Sequence, residues 1–137
     1  MAADTIAYRT EDMESKEKID FVNVMKVRTK RFVLDAIRFY QVMPKTEESR
    51  IIGRQFMRSS SSVGANYRAA CRSRSQAEFH SKLSITIEEA DETAFWLEIL
   101  IESDIVNNTN ANRLLKEANE ILAILAKARK TVSNNKK

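Results

Sequence analysis

The sequence predicts an all-α protein, an antiparallel up-down-up-down four-helix bundle. Three observations carry that reading. Two glycines and one proline in 137 residues leave almost nothing with which to build hairpin turns. Four stretches repeat apolar residues at the helical period. The connections between them are short, which favours antiparallel neighbours. A chain of this length fits one domain and hides about two thirds of its unfolded surface on folding. No internal repeat or domain linker interrupts it.

Residues 1–20 are polar, acidic and weakly patterned, and read as a mobile arm with a short helix near Glu11 to Lys18. The bundle is expected over 24–132. Its first helix runs from Val24 or Thr29 to Met43, with Phe32, Ala36, Phe39, Tyr40 and Met43 on one side. Pro44 stops it, because the residue before a proline is pushed out of the α region. Thr46 then caps the second helix, with Glu47 and Glu48 in its first turn, where the dipole favours negative charge.

That second helix reaches Arg72 to Ser75 and carries two faces. Ile52, Phe56, Val63, Tyr67 and Ala70 form its core side. Arg50, Arg54, Arg58, Arg68 and Arg72 fall roughly opposite, within a sector of about 80°. A strip of small residues between them, Gly53, Ser60, Gly64 and Cys71, would let a neighbouring helix come close. Ser59 to Ser62 reads like a linker in isolation, but its flanks keep the helical period, so it stays in the helix.

Ser75 caps the third helix, Gln76 to Ser103, whose stripe is Phe79, Leu83, Thr86, Ala90, Ala94, Leu97 and Ile101. Its back mixes Ile85, Phe95, Trp96 and Ile99 with Glu88, Glu92 and Glu102, which suggests a covered surface, an oligomer interface. The loop Asp104 to Asn112 follows, with Thr109 or Asn110 as the cap. The fourth helix repeats Leu114, Ala118, Ile121, Leu125, Ala128 and Val132, a bundle seam. Residues 133–137 should fray.

One cysteine, Cys71, excludes an intramolecular disulfide and suits a reducing compartment. Residues 1–10 lack a basic-then-apolar leader, and no window approaches about 18 consecutive apolar residues. The expectation is a soluble cytoplasmic protein without a membrane partner. Net charge is only +4, but it is uneven. From Lys45 to Arg74, seven basic residues face only Glu47 and Glu48, whereas from Ser75 to Asp104 eight acidic residues face only Lys82.

No catalytic constellation emerges. Metal pairs in bundle cores use Glu-x-x-His on two helices. The single histidine, His80, has Glu78 at the wrong spacing and reads as a surface or interface residue, so neither metal nor cofactor is expected. The same absence removes serine–histidine and cysteine–histidine nucleophiles of the usual kind. There is no Gly-rich phosphate loop. The pairs Glu88/Glu89 and Asp91/Glu92 read as a solvated or salt-bridged face rather than acid–base machinery.

The segment Arg54-Gln55-Phe56-Met57-Arg58-Ser59, then Ser62-Val63-Gly64-Ala65-Asn66-Tyr67-Arg68-Ala69-Ala70, Glu78-Phe79 and the Leu83 to Leu100 helix resembles the bacterial four-helix-bundle proteins encoded in ribosomal-RNA intervening sequences. The resemblance covers about Thr29 to Val132, and Ser-Val-Gly-Ala-Asn-Tyr is its most specific part. That family is similar in turn to the accessory variability determinant of diversity-generating retroelements, a basic homopentameric ring that binds nucleic acid and its reverse transcriptase. The resemblance implies a bundle monomer, assembly with itself into a ring, a role beside RNA or DNA with a reverse transcriptase as partner, and no catalysis.

Two readings of the arginines stand side by side. In the first, Arg50, Arg54, Arg58, Arg68, Arg72 and Arg74 bind phosphate backbones without reading sequence, and Ile85, Phe95, Trp96 and Ile99 hold the oligomer together. In the second, the protein is an interaction scaffold whose arginines pair with the acidic third helix of a neighbouring subunit, with no nucleic acid involved. Head-to-tail rings need two unlike complementary patches, and the charge split supplies them.

Overall fold

The structure, a computed structural model, describes residues 6–135, with side chains described over 15–133. It consists of α1 (Ile6–Gln41), α2 (Glu47–Cys71), α3 (Gln76–Glu102) and α4 (Thr109–Asn135), with no strand among the described residues. Each helix packs on its sequence neighbours and α1 closes the square against α4, with no close backbone approach across a diagonal among the described residues. The result is the expected antiparallel four-helix bundle. A bidentate ion pair helps close it: Arg28 on α1 donates to Glu117 on α4 from Nε and Nη2, both at 2.7 Å, and reaches Glu120 at 2.9 Å.

The helix ends follow local chemistry. Val42 and Met43 donate to the carbonyls of Phe39 and Tyr40, tightening the last turn of α1 just before Pro44. The Thr46 hydroxyl accepts from the Ser49 N–H at 3.3 Å, and Ser75 does the same for Glu78 at 3.1 Å, so both predicted caps are in place. The fourth cap differs. Asn108 Oδ1 accepts from the Ala111 N–H at 2.8 Å, so the cap is Asn108 rather than Thr109 or Asn110. All three residue types cap well, and only the φ reversal at Asp104 (φ 64°) fixes where the turn delivers the chain.

Two boundaries also move. α1 starts at Ile6 rather than near Val24 or Thr29, so residues 6–20 of the expected arm are helical, while Met1 to Thr5 lie outside the described residues. A nucleated helix gains one hydrogen bond per residue added, and no Gly or Pro precedes Val24 to stop it. At 1.5 Å per residue, the 36 residues of α1 span about 54 Å against about 38 Å for the 25 of α2, so α1 overhangs the bundle. At the other end α4 extends through Asn135, past the expected bundle limit of Val132, and residues 136–137 lie outside the described residues.

The core unites Phe32, Phe39 and Met43 of α1, Phe56, Val63 and Tyr67 of α2, Leu83 and Leu97 of α3, and Leu114, Ile121 and Leu125 of α4. Phe39 and Phe56 meet edge to face with centroids 5.5 Å apart. α3 buries Ile87, Thr93 and Leu100 beyond its predicted stripe, because it is flanked by both α2 and α4. The serine run stays helical: Ser59, Ser60 and Ser61 donate back to the carbonyls of Phe56, Met57 and Arg58. Buried Ser59 also accepts from Thr93 Oγ1 at 2.9 Å, a polar tie between α2 and α3. The small strip of α2 faces α1. A Cβ on Gly53 would come within 2.7 Å of Tyr40 Cε1, and one on Gly64 within 2.7 Å of Val33 Cγ2.

Candidate nucleic-acid interface

With Phe56, Val63 and Tyr67 turned inward and the small strip against α1, the arginines of α2 must point outward, and all five ridge residues are exposed. Their surroundings nonetheless divide them. Arg58 sits at the α3 edge, donating to both Glu89 oxygens at 3.0 and 3.3 Å and to Glu92, which also accepts from the Trp96 indole at 3.1 Å. Donating to Glu89, and secondarily to Glu92, raises the Arg58 guanidinium pKa further above its ordinary value. Its half-exposed position means that this pairing contributes little stability. Two of the carboxylates considered for acid–base work are thus occupied by the chain's own arginine. Arg74 is nearly fully exposed and touches Glu78 only at 4.0 Å.

Arg50, Arg54, Arg68 and Arg72 make no ion pair among the described residues. From Arg50 to Arg72 they run the length of α2, about 33 Å at the helical rise. At the C-terminal half of this row, Arg68 and Arg72 line a groove of about 650 Å³ between α1 and α2, and Lys26 and Lys30 of α1 line it too. Among the described residues no carboxylate lines it; its other residues are Val27, Thr29, Val33, Leu34, Ser61, Gly64 and Ala65.

Sequence reasoning missed Lys26 and Lys30. Their spacing of four residues puts both on one helix face, but only the docking of α1 against α2 places that face beside Arg68 and Arg72. It also missed where most apolar surface is bare. Of the residues expected at an oligomer interface, Ile85 and Phe95 are exposed, 39% and 49%, whereas Trp96 and Ile99 are half-buried within the chain itself. Trp96 packs against the core and meets Phe95 edge to face at 4.9 Å. A larger exposed apolar set lies on α1 and the start of α2: Ile19, Val24, Val27, Leu34, Ile37 and Ile51.

His80 is not a bare surface residue. Half-buried, it shares a 2.8 Å hydrogen bond through Nε2 with Ser133 of α4. Among the described residues no group of three or more His, Cys, Asp or Glu is gathered as metal ligands would be, and no helix is long and apolar enough to cross a membrane.

Comparison with known proteins agrees with this architecture. A crystallised protein of unknown function from the S23 ribosomal protein family of Bacteroides thetaiotaomicron is similar in structure, with a TM-score of 0.74 and 30% sequence identity over 80% of this chain and 97% of that one. No curated protein matches the chain. The family of 23S rRNA-intervening sequence proteins matches residues 10–127. A bundle of four helices, the Ser-Val-Gly-Ala-Asn-Tyr segment against α1, and a match over most of its length make this chain a member of the 23S rRNA-intervening sequence protein family.

Proposed function

We propose that this protein is a non-enzymatic, self-associating accessory protein that binds nucleic-acid phosphates along the outer face of α2. The observation that carries the reading is the row Arg50, Arg54, Arg68 and Arg72, exposed and free of ion pairs among the described residues. Guanidinium groups at this spacing suit phosphate oxygens, and such contacts position a backbone without reading sequence. Association would repeat the row around a symmetry axis and multiply a modest charge. The family's tie to 23S rRNA intervening sequences makes that RNA the first ligand to try, with a reverse transcriptase as the protein partner suggested by resemblance.

The scaffold reading, in which the arginines pair with α3 of a neighbouring subunit, has less support. Glu89 and Glu92, the central acids of that face, are already engaged by the chain's own Arg58.

The test is Arg54→Gln/Arg72→Gln beside Arg58→Gln as a control. The double variant should weaken binding to unrelated RNA and DNA alike. It should also shallow the slope of log affinity against log salt by about 0.7 to 0.9 per lost contact. Arg58→Gln should change binding little, and assembly should survive in both. A parent protein that binds neither RNA nor DNA at about 50 mM salt, where such contacts are strong, overturns the proposal. A light-scattering mass of 15.7 kDa at all micromolar concentrations overturns its self-association.

A further inference from the structure

We infer that the groove between α1 and α2 is a docking site for an acidic amphipathic helix of a partner protein. Its rims carry Lys26 and Lys30 on one side and Arg68 and Arg72 on the other, none paired with a carboxylate among the described residues. The rest of the lining is mostly apolar, with Thr29 and Ser61 the exceptions, and two of its side chains, Val27 at 66% exposure and Leu34 at 42%, are bare beside the lysines. Gly64 lines it where the two helices come closest, and a Cβ there would stand 2.7 Å from Val33 Cγ2.

Two properties choose the occupant. Four cations call for an anionic ligand, but a phosphate backbone lying on them would leave Val27 and Leu34 in water. An unpaired base would need an aromatic platform to stack on, and among the described residues no aromatic side chain lines the groove. A helix with apolar residues at i, i+4 and i+7 and carboxylates on both flanks can cover the bare aliphatic pair and meet the cations together. Length agrees as well. The lining on α1 runs from Lys26 to Leu34, about 12 Å, a little over two turns of a docked helix. This inference stands apart from the phosphate reading, although Arg68 and Arg72 belong to both surfaces. Partner and nucleic acid would compete for that half of the row.

The experiment measures fluorescence anisotropy of a labelled helical peptide of about four turns, with Leu at i, i+4 and i+7 and Glu on both flanks. A second peptide has the same composition in scrambled order, and a labelled oligonucleotide serves as the anionic control. The patterned peptide should bind about ten-fold or more tightly than the scrambled one, as burial of two aliphatic side chains allows. Val27→Ser/Leu34→Ser should remove that preference while leaving oligonucleotide binding unchanged. Lys26→Gln/Lys30→Gln should weaken the patterned peptide several-fold. All substituted positions but Leu34 are well exposed, and a thermal melt of each variant checks that the fold is kept. Equal affinity for the two peptides, or none for either, overturns the inference. So does a parent oligomer that Val27→Ser/Leu34→Ser breaks into monomers, because the groove would then hold a second copy of this chain.

Discussion

Gly64 sets how closely α1 approaches α2, and replacing it by alanine puts two effects of opposite sign in competition. An interior helical glycine costs about 0.5–1 kcal/mol relative to alanine, so propensity alone favours the change. The added Cβ, however, would stand 2.7 Å from Val33 Cγ2 and 3.5 Å from the Thr29 carbonyl oxygen. The first distance is about 1 Å inside the optimum for two carbons, and the second means that the α1 backbone, not a pliable side-chain tip, limits any retreat. Overpacking of this kind costs about 1–3 kcal/mol, so Gly64→Ala should be neutral to destabilising by about 2 kcal/mol, and Gly64→Leu worse. The decisive comparison is the same change in a Val33→Ala background. Without Cγ2 the clash is gone, and Gly64→Ala should there stabilise by its propensity gain of about 0.5–1 kcal/mol. The coupling between the two sites is therefore expected at about 1–3 kcal/mol, the overpacking cost itself. Urea denaturation followed by circular dichroism reads it, at fixed protein concentration because self-association would shift apparent stability. A Gly64→Ala gain that is equal in both backgrounds would refute the close-packing argument.

The buried tie between Thr93 and Ser59 predicts that Thr93→Val, nearly isosteric, costs about 1–2 kcal/mol in the same denaturation assay. Ser59→Ala/Thr93→Val should cost less than the two single changes added, and simple additivity would argue against the bond. Tyr67 predicts a pH effect. Burial, with a smaller contribution from neighbouring Cys71, pushes its hydroxyl pKa well above the usual tyrosine range, and the oxygen has no hydrogen-bond partner. Since the folded pKa lies above the unfolded one, this group's stabilisation is complete below about pH 10 and is lost as pH rises beyond it. Cys71, raised chiefly by burial, acts in the same direction from about pH 9. Tyr67→Phe should therefore be neutral or stabilising near pH 7 and should flatten the alkaline loss; an unchanged alkaline profile would contradict this. Arg28→Met, which strands Glu117 and Glu120 half-exposed on α4, should lower stability by about 1–2 kcal/mol and mainly loosen α1 from α4. Hydrogen exchange localises that loosening, and uniform protection across all four helices would count against it.

Much of this architecture was legible in the chain because helical periodicity is a local property. Thr46 and Ser75 announce their caps, Pro44 ends α1, and the apolar stripes of α2, α3 and α4 repeat at the period that turns them toward one side. The strip of Gly53 and Gly64 was legible too, since two glycines in a helix that must still pack leave few other purposes. What sequence could not supply is relative position across helices. Nothing local distinguishes Arg58, which meets Glu89 on α3, from Arg54 one turn away, which meets no acid among the described residues. Lys26 and Lys30 join Arg68 and Arg72 only because α1 settles against the small strip. The early start of α1 likewise escapes pattern reading, because residues 15–20 are all exposed and an exposed helix stretch needs no apolar stripe. Periodicity fixes which way a side chain leaves its own helix; which charges meet, and which apolar residues stay bare, depends on the neighbour that packing brings to that face.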